Sequence, residues 1–225
     1  MGSLILVRHA TTAASAAGRN LGQRSDLPLS DAGFELARQL GRTLAAELAE
    51  LPHDDMQLLS SPALRCRQTA AAIAAALERD EDRTRIEAGL IEIDYGAWDG
   101  LSPEECRQRD PELRAAWEAD PFLTRCPDGE SGQGVAERAF AALAPVEEWL
   151  AADRARCAIA VAHNHVNRLR LCHLLGWPMR EYRDRLVQDP GAYNLITLGG
   201  GTPVVRRLNT PATKARTGPR TGQPL

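Results

Sequence analysis

The chain has 225 residues, of which 44% are hydrophobic and 25% are charged, and its formal net charge at pH 7 is −3. This length suits one domain with a sizeable core, and the small net charge gives no basic excess of the kind that indicates nucleic acid. The five cysteines are odd in number and form no C-x-x-C pair, which argues against structural zinc and against a disulfide framework.

Short, continuous apolar runs predict buried strands at several points of the chain. Three such runs, each followed by polar residues, lie at 4–7, 57–60 and 157–162. Two further runs, at 195–198 and 204–205, predict late strands.

Helical patterns separate these strands. Ser30 is predicted to cap a helix with leucines every four residues, which Pro52 ends. Ser61 is predicted to cap the next helix, so that Arg65 lies in its first turn. Later helices are predicted at 135–151 and 166–175.

The alternation of strands and helices predicts an α/β fold, a three-layer sandwich with a mostly parallel central sheet. We expect one domain over residues 1–209, in which the polar stretch at about 100–134 forms a lid-like excursion that a capping box at Ser102 opens. Residues 210–225 lack apolar periodicity and are predicted to be a disordered tail. No signal segment precedes the first strand and no run is long enough to span a bilayer, so we expect a soluble, cytoplasmic protein.

Basic residues stand at the carboxyl ends of three predicted strands. Arg8 and His9 follow the first strand, Arg65 lies in the helix after the second, and His163 follows the third late in the chain. Ligands of open α/β sheets bind at these ends, so the four side chains are predicted to meet if the strands are neighbours. Two arginines, two histidines and a helix N-terminus suit a tetrahedral dianion. The chain has no P-loop pattern and no acidic cluster for magnesium, so neither a metal nor a cofactor is expected.

Several motifs resemble those of a known family. Residues 6–12, LVRHATT, resemble the Arg-His-Gly signature of the histidine phosphatase superfamily, the phosphoglycerate mutase-like group. In order along the chain follow stretches similar to its first loop, second motif, acidic motif, Gly-Glu-Ser loop and second histidine, at 18–33, 60–70, 90–100, 127–131 and 161–163. The acidic motif and the Gly-Glu-Ser loop resemble the phosphatase branch of that group.

The resemblance implies a phosphoglycerate mutase-like fold and a role for each matching residue. His9 would be the nucleophile that forms a phosphohistidine. Arg8, Arg65 and His163 would hold the phosphoryl oxygens. Glu92 would protonate the leaving oxygen and then activate water.

The chain departs from the family at positions beside these residues. Ala10 replaces the usual glycine, and Thr11 stands where an acidic residue or glutamine is frequent. Ser15 occupies the place of an asparagine that commonly helps to bind phosphate, and it is carried over as a substrate-binding residue. Asn164 and His165 follow the second histidine where small residues are common.

Three alternatives stay open at the level of sequence. Alternation puts Asp94 on the same face as Glu92, so spacing alone does not choose the acid, although the family match favours Glu92. His163 and His165 form a His-x-His pair that could bind a metal, but no third ligand with suitable spacing is evident. Three aromatic residues could line a substrate pocket or pack in the core: Tyr95, Trp98 and Trp117.

The function predicted from these residues is that of a metal-independent phosphomonoesterase, which hydrolyses a small phosphorylated metabolite through a phosphohistidine. The expected partner is this small substrate, with neither nucleic acid nor membrane, and a homodimer is left open. The runner-up is a phosphoglycerate mutase. A third hypothesis is a non-catalytic, phosphate-binding regulatory protein.

Overall fold

The computed structural model describes residues 2–49, 55–199 and 201–212, and its strands form one six-stranded sheet. The strands are β1 (Gly2–Arg8), β2 (Asp55–Ser60), β3 (Arg85–Ile86), β4 (Arg156–Ala162), β5 (Tyr193–Leu198) and β6 (Val204–Thr210). Their order across the sheet is β3-β2-β4-β1-β5-β6. β5 runs antiparallel to both its neighbours, and the other neighbouring strands are parallel. The predicted α/β fold with a mostly parallel sheet is confirmed.

Helices lie between the strands in the sequence. The α-helices of the described residues are α1 (Ala13–Ala16), α2 (Asp31–Leu48), α3 (Leu64–Ala76), α4 (Pro103–Arg109), α5 (Pro111–Ala119), α6 (Gly132–Ala152) and α7 (Asn164–Leu174). Short 3-10 turns lie at Glu81–Arg83, Ala88–Leu90, Gly96–Trp98 and Met179–Glu181. None of the helices in this described part of the chain is long and apolar enough to cross a membrane.

Alternate side chains of the central strands pack into two cores, one on each face of the sheet. Leu4 and Leu6 belong to the core that α6 and α7 cover. Ile5 and Val7 belong to the core that α2 and α3 cover. Because both faces are covered, these strands consist almost entirely of buried apolar residues, which is why they read as continuous runs.

The sheet order brings the three polar strand ends together. β4 lies between β2 and β1 and is parallel to both, with Ala162 opposite Arg8 and Val161 opposite Ser60. The next residue of each strand therefore emerges at the same edge of the sheet. The condition on which the predicted meeting of the side chains depends, that these strands are neighbours, is therefore met.

The start of α3 differs from the prediction. The helix begins at Leu64 with Ala63 as its N-cap, and the carboxylate of Asp26, from another segment, accepts a hydrogen bond from the backbone N–H of Leu64 at 2.7 Å. The hydroxyl of Ser61 instead lies 2.8 Å from Nε2 of His163, so a tertiary partner has replaced the predicted capping bond. Two later helices begin two or three residues before their predicted starts, α6 at Gly132 and α7 at Asn164.

The stretch predicted as an excursion contains α4 and α5. Ser102 and Glu105 form the predicted capping box at the start of α4. Trp117 of α5 is buried and packs against Trp98, with ring centroids 5.9 Å apart, so this segment is anchored in the α6–α7 core. Pro52 and residues 213–225 lie outside the described residues. Thr210, the predicted first residue of the tail, is instead the last residue of β6, and the carbonyl of Ala212 accepts a hydrogen bond from Gln39 at 3.1 Å. The predicted single domain and the disorder of the remaining tail stay predictions.

Candidate active site

His9 emerges from the end of β1 into the centre of the site. Its side chain is buried, and its Nδ1 lies 2.8 Å from the carbonyl oxygen of Ala10. A carbonyl only accepts, so Nδ1 carries the proton and the lone pair of Nε2 is left open. Burial lowers the pKa of His9 well below its usual value, and the charges of Arg65 and Arg8 lower it further. The ring is therefore a neutral base with one free nitrogen.

Arg65 lies in the first turn of α3 and is almost completely buried. Its Nη2 donates to the carbonyl of Gly22 at 3.0 Å and to Nδ1 of His163 at 3.3 Å. Its Nε is buried and has no hydrogen-bond partner among the described residues. The guanidinium is thus fixed from one side and keeps a donor for another acceptor.

His163 is the N-cap residue of α7, and its ring stands against that of His9. The two ring centroids are 5.2 Å apart, with 66° between the planes. Because Arg65 only donates, Nδ1 of His163 accepts, and Nε2 carries the proton towards Ser61. Burial lowers the pKa of His163 well below its usual value, and the charge of Arg65 adds to this effect.

Arg8 is the last residue of β1 and completes the basic group. Its Nη1 makes a close hydrogen bond to the backbone carbonyl of Gln188. Its Nε is buried and has no partner among the residues that the structure describes. Burial lowers the pKa of Arg8, and the nearby charge of Glu92 opposes that shift. The structure therefore brings together all four basic residues that the strand ends predicted.

Glu92 lies beside this group and is almost fully buried. Its Oε1 accepts a hydrogen bond from the backbone N–H of Ile93 at 2.9 Å, and its Oε2 accepts one from that of His165 at 3.4 Å. Burial raises the pKa of the Glu92 carboxyl, against the two hydrogen bonds and the charges of Arg65 and Arg8. Such a carboxyl holds its proton to a higher pH than an exposed one, as a general acid must.

Asp94, the alternative acid, is engaged elsewhere. Its Oδ1 accepts from the backbone N–H of Gly96 at 2.7 Å and from Nε of Arg24 at 3.3 Å. Its side chain is more exposed than that of Glu92, and it holds the turn that follows the acidic motif. The geometry favours Glu92 as the acid.

A comparison of the sequence with models of protein families shows the family to which the chain belongs. The family model described as the histidine phosphatase superfamily, branch 1, matches residues 4–211. The chain belongs to this superfamily. The resemblance seen in the sequence motifs is confirmed over almost the whole chain, and so is the expectation of a phosphatase of this superfamily.

Individual proteins of known name or structure resemble the chain over most of its length. Phosphoserine phosphatase 1 of Hydrogenobacter thermophilus is 31% identical, over 93% of this chain and 92% of that protein. An acid phosphatase of Mycobacterium tuberculosis is 32% identical, over 79% of this chain and 78% of its own length. A solved structure of an open reading frame from Mycobacterium tuberculosis superposes with a TM-score of 0.75 at 27% identity, covering 94% of this chain and 99% of that one.

Ser15, the remaining predicted site residue, forms hydrogen bonds within its own turn, and its part in substrate binding stays a prediction. It is the third residue of α1 and forms a capping box with Thr12. Its hydroxyl accepts from the backbone N–H of Thr12 at 2.9 Å and donates to the carbonyl of Thr12 at 3.0 Å. The shorter serine side chain is therefore used within its own turn, where an asparagine is common in the superfamily.

A buried hydrogen-bond network around His165 could not be predicted from the sequence. The hydroxyl of Tyr95 lies 2.7 Å from Nε2 of His165, and that of Tyr182 lies 2.7 Å from Nδ1. Its ring is thus held by two tyrosines, while Arg65 and Ser61 hold that of His163, so this geometry does not support a metal-binding pair. Within the described residues, no group of three His, Cys, Asp or Glu side chains is placed to hold a metal ion.

The role left open for three aromatic residues is now clear. Trp98 and Trp117 are buried in the α6–α7 core, and Tyr95 packs with them while bonding to His165. Nothing in the sequence signalled the tyrosine–histidine–tyrosine chain, because its members come from three separated segments.

Proposed function

We propose that this superfamily member is a metal-independent phosphomonoesterase that hydrolyses a small phosphorylated metabolite through a phosphohistidine. The observation that carries the proposal is the state of His9. Its ring is neutral, its Nδ1 is bound to the carbonyl of Ala10, its Nε2 has no hydrogen-bond partner among the described residues, and the charges of Arg65 and Arg8 act on the ring. An unprotonated, oriented nitrogen beside fixed positive charge is what a nucleophile for a phosphoryl group requires.

In the first step, Nε2 of His9 attacks phosphorus and the bond between phosphorus and the ester oxygen breaks. The electron pair leaves with that oxygen, which takes the proton of Glu92. Arg8 and Arg65 stabilise the charge on the phosphoryl oxygens, which is the main task in phosphoryl transfer. The carbonyl of Ala10 stabilises the positive ring that results, through its bond to Nδ1.

In the second step, a water molecule gives a proton to the Glu92 carboxylate, and the oxygen of that water attacks phosphorus. The bond between phosphorus and Nε2 breaks, and phosphate leaves with His9 restored. Glu92 thus acts first as acid and then as base, for which a raised pKa is suitable.

The charges of the site support metal independence. The unpartnered, buried Nε atoms of Arg8 and Arg65 supply the positive charge that a metal ion would otherwise bring to the phosphoryl group. All five cysteines are free and buried, which supports the proposal of a reducing, cytoplasmic location.

Two other functions compete with hydrolysis. A phosphoglycerate mutase would share the same nucleophile, but the relatives named phosphatases favour hydrolysis. A non-catalytic phosphate-binding protein would be favoured if one of the four basic residues were missing from the chain, and none is missing.

The proposal is tested by incubating the protein with p-nitrophenyl phosphate and with several alkyl phosphomonoesters in the presence of EDTA. We expect phosphate release that EDTA does not reduce and that His9→Ala lowers by about three orders of magnitude or more. His173→Ala is the matched control, because this exposed histidine lies near the other end of α7. Absence of turnover with every ester, or undiminished turnover by His9→Ala, would refute the proposal. Interconversion of 2- and 3-phosphoglycerate would promote the mutase.

A further inference from the structure

Two arginines beside the site have no acidic partner. Arg168 lies on α7, and Arg183 follows the 3-10 turn Met179–Glu181. Neither guanidinium forms a hydrogen bond or an ion pair with any residue that the structure describes, and the Nε of each is buried. Partly buried charges are normally paired, so two such neighbours without a counter-ion indicate a place for an anion.

A chain of contacts connects Arg183 with the proposed acid. Its guanidinium carbon lies 4.3 Å from the ring centroid of Trp117, whose centroid is 6.3 Å from that of His165. The preceding residue, Tyr182, bonds to the same His165 ring, and the backbone N–H of His165 donates to Glu92. Stacking on Trp117 fixes the plane of the Arg183 guanidinium and leaves its N–H edge free.

Arg168 reaches the same region from α7. It stands four residues after Asn164 and therefore on the same face of the helix, whose N-cap is His163. The Oδ1 of Asn164 is buried and also has no partner among the described residues. Arg168 also stands three residues after His165, whose ring bonds to Tyr182, the residue before Arg183, so this face of α7 lies against the segment that carries Arg183. Burial lowers the pKa of Arg168, and the charges of Arg183 and Arg8 lower it further, which agrees with this placement.

The proposed mechanism assigns the phosphoryl group to Arg8 and Arg65, whose buried Nε atoms have no partner among the described residues, and it gives no task to Arg168 and Arg183. We propose that Arg168 and Arg183 form a second anion subsite, and that the substrate is a phosphomonoester with a second anionic group, a carboxylate or another phosphate. The inference rests on the proposed phosphomonoesterase activity and adds the substrate class to it. The two residues act on specificity and not on the bond-breaking step.

The test compares kcat/KM within pairs of esters that differ mainly in the second anion. O-phosphoserine against O-phosphoethanolamine and 3-phosphoglycerate against glycerol 3-phosphate probe a carboxylate. Propane-1,3-diol bisphosphate against propyl phosphate probes a second phosphate. We expect the best pair to show a preference of about ten- to a hundredfold for the doubly anionic ester, the range for a hydrogen bond to a charged group.

Arg168→Gln and Arg183→Gln are each expected to reduce this preference to about one. The ratio is taken on the same sample, so a partly unfolded variant does not distort it. Arg185→Gln is the matched control, because Arg185 is exposed and ion-paired with Glu181, and it should keep the preference. Ratios near one for all three pairs in the unaltered protein, or an undiminished preference in both variants, would overturn the inference.

Turnover of p-nitrophenyl phosphate by the unaltered protein is measured beside each pair. If the protein hydrolyses that ester and shows no preference in any pair, only the second subsite is refuted. If it hydrolyses none of the esters, the proposed function itself fails.

Discussion

Burial displaces the two titrating groups of the proposed mechanism in opposite directions. It lowers the pKa of the imidazolium of His9 and raises that of the Glu92 carboxyl. A pH below the lowered value would protonate the nucleophile, and a pH above the raised value would remove the proton from the acid. The active form of the free enzyme, with His9 neutral and Glu92 protonated, is favoured between these limits.

The decline of kcat/KM at high pH, the falling limb of the pH profile, should therefore reflect loss of the proton of Glu92. In Glu92→Gln, kcat for an alkyl phosphate should drop by about 10²–10⁴, and the decline of kcat/KM above the raised pKa should disappear. The rate of phosphoenzyme formation from p-nitrophenyl phosphate should fall less than that from an alkyl phosphate, because the p-nitrophenolate leaving group needs no proton. These profiles are compared with those of the unaltered protein, so that ionisation of the substrate cancels.

Asp94→Asn is the matched control for this variant. The exposed ion pair of Asp94 with Arg24 contributes little, so the change should cost less than about tenfold and keep the falling limb. If Asp94→Asn removes the limb and Glu92→Gln keeps it, the assignment of the acid is wrong.

Residues at the ends of buried strands could be predicted from sequence, because the apolar run and the polar residue after it are contiguous. This applies to Arg8, His9 and His163. The hydrogen-bond partners of Ser61 and Ser15 could not be predicted from sequence, because a serine hydroxyl can bond to many groups and the fold decides which of them is within reach. The partner of Ser61 is His163, and Ser15 bonds within the turn of α1.

At the scale of elements, the backbone of the acidic-motif loop (90–100) lies in direct contact with the backbone of the Gly-Glu-Ser loop (127–131). A Cβ on Gly96, whose φ is +58°, would stand 1.9 Å from the carbonyl oxygen of Pro127. The carboxylate of Glu130 accepts from the backbone N–H of Asp94 at 2.9 Å and from Arg138 at 2.9 Å. This contact fixes the segment that carries the proposed acid.

Gly96→Ala should loosen this docking. The left-handed backbone costs a residue with a Cβ about 1–2 kcal/mol, and overpacking costs about 1–3 kcal/mol. We expect the free energy of unfolding to fall by about 2–5 kcal/mol by these two effects, as measured by urea denaturation.

Gly134→Ala is the control for this substitution. Gly134 lies in the first turn of α6, with open space where a Cβ would stand, and alanine there should change stability by at most about 1 kcal/mol, in the favourable direction. Equal midpoints for Gly96→Ala and the unaltered protein would contradict the proposed role of the contact.

Periodicity predicted the long elements and missed features that depend on neighbours. The helices α2 and α6 and the strands β1 and β4 followed from their apolar spacing. β3 consists of two exposed residues in a charged stretch, so no apolar pattern marks it in the sequence. Only its pairing with β2 in the structure identifies it as a strand. Register shifts between β5 and β6 likewise have no local sequence pattern.

At the scale of the whole molecule, a net charge of −3 coexists with a concentration of positive charge at one edge of the sheet. The parallel order β2-β4-β1 is the cause, because it brings together strand ends that lie about 50 to 150 residues apart in sequence. The contribution of each strand could be predicted, but their side-by-side order became certain only with the fold. Such local charge attracts an anion although the protein as a whole repels it.

The rate of encounter with a phosphate ester should therefore depend strongly on ionic strength. Between about 0.01 M and 1 M salt the Debye length falls from about 30 Å to about 3 Å, and we expect kcat/KM to fall by about tenfold or more while kcat changes little. Sodium chloride and sodium acetate at equal ionic strength should give the same curve, because screening does not distinguish them. Arg154→Gln, an exposed residue before the opposite end of β4, should leave the slope unchanged. A kcat/KM independent of salt would contradict this account, and different curves for the two salts would indicate that an anion occupies the site.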